Sequence, residues 1–479
     1  MPLHIELKIP GAATSGQPLA VTAPYDNTLL ATVDTADARA VEQALTTAYA
    51  LFRDRAGWLS KQRRIEILQQ TAQLMSERRE QLALAAAAEG GKPLLDSQVE
   101  IDRAIDGVHH CIDCLRTAAG HEIPMDINAA SGNRLAMTRY EPIGVVVAVS
   151  AFNHPLNLIV HQVGPALAAG CPVIVKPAED TPLSCFHFVE ILRKAGLPEA
   201  WCQPLVVNDL AVATQLVTDA RVGFFSFIGS AGVGWMLRSR LAPGVRCALE
   251  HGGAAPVIVA RDADLQQALP LLVKGGFYHA GQVCVSVQRV YCHESTARAL
   301  AAGLADLAKA LKVGDPTAAD TEVGPLIRPR EVTRVHEWVT AAIAAGAERL
   351  CGGEVLSASC YAPTVLLNPP DDIAVSQQEV FGPVVCVYSY ADMDAAIARA
   401  NALPVAFQAA VFTRDLDTAL HGYRNLDASA VMVNDHTAFR VDWMPFAGLR
   451  QSGLGVGGIP HTFHDMQSEK LLVVKSDAL

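Results

Sequence analysis

Three residues able to carry chemistry sit where the chain leaves an apolar run. Cys284 follows Gly281-Gln282-Val283 and the small-residue stretch 273–280. A thiol there is either another core sulfur or a nucleophile. Glu250 closes a short apolar run and precedes His251-Gly252-Gly253. Held away from water, a carboxyl at that point has a raised pKa and suits a general base, although a capping or ion-paired glutamate fits the same pattern. Asn153 closely follows the apolar run 144–150. Its amide N–H can donate to a developing oxyanion, though an asparagine at a strand end is more commonly a turn or N-cap residue.

A second set suits a phosphate-bearing ligand. Lys176 ends the run 172–175, and Glu179 lies three residues on. The ammonium can bind a hydroxyl or phosphate, and the carboxylate both hydroxyls of a ribose. A surface ion pair is the plainer alternative. The segment from Phe225 turns through Gly229-Ser230 towards Gly234. If a helix starts there, its free N–H groups form an anion site, and glycine lets a pyrophosphate come close. The spacing is not Gly-x-Gly-x-x-Gly, so a tight turn without a ligand is an equal reading.

The elements that must position these residues follow from pattern. Residues 21–33 read as a leading strand pair, with Pro24, Asp26 and Asn27 at the turn. A helical period runs over 37–119, broken near Trp58 and Gly90-Gly91-Lys92-Pro93. Residues 121–140 read as a projecting β-hairpin. From Pro142, apolar runs of strand length alternate with helices over 142–241 and again over 255–434. Units of this size imply parallel, doubly wound sheets with helices on both faces, which bind ligands at the carboxyl ends of their strands. The helix before the cysteine is expected to span 265–280. The apolar tail 469–475 needs a sheet edge, on this chain or on a partner.

At 479 residues the chain is too long for one core. A net charge of −11 argues against a general nucleic-acid binder and an anionic-membrane binder, while leaving room for a local basic pocket. The longest apolar runs, 143–152 and 163–175, fall short of a membrane span. The opening Met1-Pro2-Leu3-His4-Ile5 lacks the basic-then-apolar order of a leader, and a cytoplasmic protein is expected. The 11 cysteines lack paired spacing and mostly sit in apolar stretches, such as Cys171, Cys247, Cys292 and Cys386. That fits reduced thiols better than disulfides. His110 and Cys114 share a helix face, but no second pair with ligand spacing lies nearby, and no metal is expected.

Taken together, the motifs say more than any one of them. In order, they are Phe152-Asn153-His154-Pro155-Leu156, Lys176-Pro177-Ala178-Glu179, Phe227-Ile228-Gly229-Ser230 with Gly234, and Glu250-His251-Gly252-Gly253. Gly281-Gln282-Val283-Cys284, Glu379-Val380-Phe381-Gly382-Pro383, and Pro445-Phe446-Ala447-Gly448 with Ser452-Gly453 follow. This series resembles the NAD(P)-dependent aldehyde dehydrogenase superfamily over nearly the whole chain. The resemblance implies an aldehyde dehydrogenase-like α/β fold. A Rossmann-like NAD-binding domain would span 1–120 and 142–252, and a catalytic domain 253–450. An oligomerisation arm would come from 121–141 and 465–479, serving a homodimer or homotetramer.

In the implied chemistry Cys284 attacks the aldehyde to give a thiohemiacetal. Asn153 and the Cys284 backbone N–H hold the oxyanion, hydride passes to the nicotinamide, and Glu250 activates water against the thioester. Lys176 and Glu179 fall on the family's adenine-ribose contacts. Ser230, with Gly229 and Gly234, falls on its pyrophosphate turn, and Glu379 and Phe381 on its nicotinamide-ribose grip. A carboxylate at 179 repels a 2′-phosphate, so NAD is expected ahead of NADP. Four positions depart from the family pattern: Phe152 replaces a common tryptophan, His251 a leucine, Ala447 a glycine and Arg450 a lysine. His251 adjoins the expected base and could tune it.

Family pocket positions correspond to Arg103, His154, His161, Val283, Val285, Arg440 and Trp443. Two arginines and one or two histidines suit a small aldehyde bearing a carboxylate, sulfonate or phosphate. Interdomain ion pairs are the alternative use of the arginines. The segment 434–445 also resembles the branch that handles semialdehydes, lactaldehyde and glyceraldehyde phosphates. Other possible activities are a broad-specificity or aromatic aldehyde dehydrogenase, a coenzyme-A-acylating enzyme and a catalytically silent relative. Glu250 speaks against the acylating enzyme, because a thioester meant for transfer needs no hydrolytic base. The joint presence of Cys284, Glu250 and Asn153 speaks against the silent one.

Overall fold

The structure, a computed structural model, describes residues 3–13 and 17–479. Met1 and Pro2 of the N-terminal reading lie outside the described residues. Among those described, two large sheets dominate. Val145–Val149 is β-branched on nearly every residue and forms a central strand because both its faces are covered. Val145 and Val147 pack with Ala44, Leu45 and Ala48 of the helix Ala38–Arg53. Val146 and Ala148 pack on the other face with Ala104 and Val108 of Leu94–Thr117 and with Ile159 and Val163 of Asn157–Ala169.

On one side of this strand lie Val173–Lys176 and then Cys202–Pro204. On the other lie Val222–Ile228, Arg246–Glu250 and Gly453–Leu454. All pair in parallel except Gly453–Leu454, which runs antiparallel to Arg246–Glu250. In register, Val147 stands opposite Ile174 and Phe225. Strand order reverses between Val145–Val149 and Val222–Ile228, so the crevice beyond their carboxyl ends is where such a sheet binds ligands.

The second sheet runs in the order Glu348–Cys351, Thr364–Leu367, Val384–Tyr390, Val287–His293, Ala255–Val259, Gln408–Phe412 and Ala430–Val433. Its first strand alone is antiparallel. The pattern reading missed the short strands Glu348–Cys351, Thr364–Leu367 and Ala430–Val433 and the helix Leu416–Asn425. Each of those strands has only four residues, too few to show a period. A further strand, Leu3–Ile5, joins the leading pair Leu19–Thr22 and Leu29–Val33.

The hairpin forms from Glu122–Ile123 and Arg134–Pro142. The tail Gln467–Lys475 finds its edge on the same chain, antiparallel to Arg134–Pro142, with Leu472 opposite Met137. No helix of the described residues is long and apolar enough to cross a membrane.

Helix Leu94–Thr117 is bound to the segment after Asn153 through Glu100, whose carboxylate is also half of a buried ion pair. Lys92 and Glu100 contact each other with both side chains 0% exposed. Glu100 Oε1 also accepts the N–H groups of Leu156 at 2.9 Å and Asn157 at 3.0 Å. Removing only the cation leaves a buried charge uncompensated. The Lys92→Met variant is expected to lose about 3–5 kcal/mol of stability in urea unfolding. The double variant Lys92→Met with Glu100→Gln should recover part of that loss.

Candidate active site

Cys284, Glu250 and Asn153 line one cavity of about 850 Å³ between the two sheets. The thiol is aimed into it by an abrupt turn. Helix Leu265–Phe277 stops short of the expected residue 280, because His279, Ala280 and Gly281 take φ values of 49°, 53° and 70°. Three successive left-handed residues cannot continue a right-handed helix, and two of them are strained non-glycines. At 281 only glycine fits, since a Cβ would lie 2.1 Å from the Gly382 carbonyl oxygen.

Gln282 locks the turn. Its Nε2 donates to the carbonyls of His279 at 3.3 Å and Pro325 at 3.2 Å, and its Oε1 accepts from the Ile327 N–H at 3.0 Å. Cys284 thereby reaches the amino end of Val287–His293 and faces the carboxyl ends of the first sheet. Asn153 Nδ2 donates to the Gln282 carbonyl at 2.9 Å, two residues before the thiol. Its second amide hydrogen is uncommitted. The Gly253 N–H donates to the Cys284 carbonyl at 3.2 Å, which joins the thiol segment to that of Glu250.

Glu250 ends the strand Arg246–Glu250, and its nearest cation is Arg440, with Nη1 3.7 Å from Oε1. Burial pushes the Glu250 pKa up and Arg440 pulls it back. Burial, then the Glu250 charge, pushes the Cys284 thiol far up; Arg440 opposes this and Glu379 adds to it. Burial thus favours the protonated forms of both the Cys284 thiol and the Glu250 carboxyl.

Another side of the cavity is built from the strand ends of the first sheet. Lys176 Nζ meets Glu179 Oε1 at 2.5 Å on the cavity wall. The Gly229 N–H donates to the Glu250 carbonyl at 3.0 Å, and Ser230 sits exposed at the N-cap of helix Ala231–Arg238. His251 does not face the carboxyl of Glu250, as its place in the sequence suggested it could. Consecutive residues leaving a strand point to opposite sides. Its Nδ1–H instead donates to the Gly229 carbonyl at 2.8 Å, and its ring packs against Phe227 and Trp235. Gly234 is what makes room for it, since a Cβ there would lie 2.0 Å from the ring.

Glu379 comes from the amino end of Val384–Tyr390, the strand next to Val287–His293. Burial pushes its pKa up to about 8, and its Oε1 is buried without a partner. A Cβ on Gly252 would lie 1.7 Å from that oxygen. An unpaired carboxyl oxygen at a cavity wall cleared by a glycine fits a ribose hydroxyl donor. Phe381, at φ 44°, sets its ring edge-on to Phe152 at 5.9 Å.

The remaining wall holds the charged residues. Arg103 Nε and Nη2 donate to Asp442 at 3.0 and 2.7 Å, so this arginine lines the cavity with its guanidinium already bound. Asp442 also accepts from His161 Nε2 at 2.7 Å and Asn157 Nδ2 at 3.2 Å. Burial opposes its charge, but His161 and Arg103 hold it well below the usual carboxylate range. Burial takes the His161 pKa down to about 4, so the ring is neutral at physiological pH. His154 shares a hydrogen bond with the Tyr278 hydroxyl at 3.2 Å and stays neutral through burial. Val283 and Val285 pack with Phe407 and Phe446 into an apolar collar. Trp443 stands half exposed against His110, outside the cavity lining.

Two positioning residues escaped the pattern reading. Gln282 lay inside a quoted motif, yet its fixing role depends on loop carbonyls distant in sequence. Asp442 could have been found as the lone acid between Arg440 and Trp443 in a segment read for its cations. Among the described residues no cluster could hold a metal ion, and all 11 cysteines are free.

A model of the aldehyde dehydrogenase family matches residues 12–472. A 3-sulfolactaldehyde dehydrogenase of Priestia megaterium is 38% identical over 412 residues, which covers 86% of each chain. Aldehyde dehydrogenase 21 of Physcomitrella patens, in complex with the reaction product succinate, superposes with a TM-score of 0.94 at 33% identity, over 99% of both chains. A glyceraldehyde-3-phosphate dehydrogenase of Methanocaldococcus jannaschii, complexed with NADP, gives 0.91 at 31% identity over 96% of this chain and 100% of that one. The chain therefore belongs to the aldehyde dehydrogenase family, and its reaction is the NAD(P)-dependent oxidation of an aldehyde.

A buried, protonated thiol has a pH signature. Alkylation of Cys284 by iodoacetamide, followed by peptide mass spectrometry, should climb between about pH 7 and pH 9 without levelling off. A plateau near neutrality would show a thiolate already formed.

Proposed function

We propose that the enzyme oxidises a small anionic aldehyde to its carboxylic acid, with NAD preferred to NADP, through a thiohemiacetal and then a thioester on Cys284. The observation that carries the substrate class is Arg440. It lines the cavity with its side chain 10% exposed and makes no hydrogen bond to a carboxylate, its Nη1 standing 3.7 Å from Glu250, while Arg103 is bound by Asp442. A guanidinium with unused donors in an apolar collar is a receptor for a carboxylate, sulfonate or phosphate. The relatives whose names specify an anionic substrate or product support the same class.

The Cys284 thiol gives up its proton to water in the cavity as its sulfur bonds to the carbonyl carbon, and the free amide hydrogen of Asn153 donates to the oxygen that becomes negative. Bound NAD supplies the hydride acceptor. Glu250 then takes a proton from water, whose oxygen attacks the thioester. Lys176 and Glu179 hold the adenine ribose, the Gly229–Ser230 turn and Gly234 the pyrophosphate, and Glu379 and Phe381 the nicotinamide ribose. The Glu179 carboxylate disfavours a 2′-phosphate, which is the reason for placing NAD first.

We further infer a homodimer or homotetramer. Gln467–Lys475 is an outer strand of its sheet and exposes Leu471 and Val473 on one face and Leu472 and Val474 on the other. The free cysteines support a reducing, cytoplasmic setting.

The test follows NADH by absorbance with succinic semialdehyde, a sulfo-aldehyde, a phospho-aldehyde and neutral aliphatic aldehydes. Arg440→Ala should lower kcat/KM for the anionic substrates by roughly 10- to 100-fold, the worth of a charge-assisted contact, and leave that of the neutral ones unchanged. Equal kcat/KM across the panel in the unmodified enzyme would overturn the substrate class. Acyl-CoA formed on adding coenzyme A would replace hydrolysis with transfer.

A further inference from the structure

Arg440 has more donors than partners. Its guanidinium lies over Phe446, with Cζ 3.5 Å from the ring centroid. Nη2 meets His161 Nδ1 at 3.3 Å. His161 gives its Nε2–H to Asp442, so Nδ1 offers the lone pair that accepts from Arg440. Asp442 itself is occupied by Arg103, His161 and Asn157 and stands 4.0 Å from Arg440 Nε. The open side of the guanidinium turns to Glu250, where 3.7 Å separates Nη1 from Oε1. That distance is an ion pair without a hydrogen bond. Both side chains are more than four-fifths covered, 17% and 10% exposed, so little water screens the pair.

The arrangement joins two roles in one cation. The receptor proposed for the substrate's anion is also the counter-ion of the proposed base. Resting on the substrate reading above, we propose that Arg440 makes deacylation conditional on the charge of the acyl group. Without an anion it holds Glu250. The anionic tail of an acyl group on Cys284 takes the guanidinium and releases Glu250 to act on water. In that step Glu250 accepts a proton from water and the water oxygen bonds to the thioester carbon. The C–S bond breaks, and its electron pair returns to Cys284 as the thiolate.

The groups around Glu250 leave Arg440 as the lever. The Glu250 and Glu379 charges act on the Cys284 thiol, whereas Glu250 itself is shifted by burial and by Arg440. Asp442, His161 and Arg103 form a cluster closed on itself. His251, next in the chain, turns to Gly229. Arg440 is the one cation of this set not hydrogen-bonded to a carboxylate. Its removal from Glu250 therefore strengthens the base, and a neutral acyl group leaves the base restrained.

Stopped-flow mixing of the NAD-loaded enzyme tests this. Propanal should give a burst of NADH stoichiometric with enzyme and then a slow steady rate, with acylated Cys284 seen by intact mass. Succinic semialdehyde should give no burst. Methanesulfonate added with propanal should raise the steady rate several-fold, whereas chloride at equal ionic strength should not. In Arg440→Gln the propanal burst should vanish as kcat and KM rise together, while Arg440→Lys keeps it. The acid limb of propanoyl-enzyme hydrolysis should move to higher pH in Arg440→Gln by about 1 unit or more.

An unchanged propanal burst in Arg440→Gln, or a methanesulfonate effect no larger than that of chloride, overturns the coupling. The substrate reading survives that result if Arg440→Gln still loses kcat/KM selectively for succinic semialdehyde. The methanesulfonate comparison uses the unmodified enzyme and decides the matter even if the variants fail to fold.

Discussion

The charge pattern of the cavity depends on one buried carboxylate. Asp442 gathers a bidentate arginine, a histidine and an amide around two oxygens. Such a hub is stable only when fully partnered, because an unpaired charge at that depth would be very costly. Its effect on the neighbours is selective. Arg103 is neutralised, His161 is fixed as a neutral ring with its lone pair turned to Arg440, and Arg440 is left with unused donors. Two arginines that look equivalent in the sequence acquire different chemistry from a third residue.

The groups proposed for catalysis are held by a second constraint, the meeting of opposite strand ends. Asn153, Lys176, Gly229 and Glu250 leave the carboxyl ends of first-sheet strands. Cys284 and Glu379 precede the amino ends of two adjacent strands of the other sheet. The reacting atoms therefore belong to different cores, and few local hydrogen bonds hold them in place. The Asn153–Gln282 and Gly253–Cys284 contacts are those bonds. The left-handed run before Cys284 stores strain that only this surrounding scaffold can maintain.

The alternating strands and helices of both sheets were legible because continuous β-branched runs and helical periods are local properties. Val145–Val149 and Glu294–Ala310 show this well. The four-residue strands carried too little pattern, and the helix before Cys284 ended early because its stop is backbone conformation at His279 and Ala280, which side-chain type does not announce. Residues from several of the motifs line one cavity, among them Asn153, Lys176, Glu250, Cys284 and Glu379, while Gly234 and Ser452 lie outside its lining. What pattern could not separate was the state of each charge. Arg103 and Arg440 read alike until Asp442 was placed, and His251 adjoined Glu250 in sequence while its ring supported the Gly229 turn.

The edge of the first sheet carries a consequence for how the molecule is made. Arg246–Glu250 is completed on its outer side by Gly453–Leu454, and the hairpin strand Arg134–Pro142 by Gln467–Lys475. Both partners are synthesised only after the whole second sheet. During translation the strand bearing Glu250 is thus an open edge, and the hairpin lacks its longest neighbour. Arg440 and Asp442 lie just upstream of the closing strand Gly453–Leu454, so they emerge shortly before the strand of Glu250 gains its outer neighbour. Completion of the cavity wall therefore coincides with completion of the first sheet.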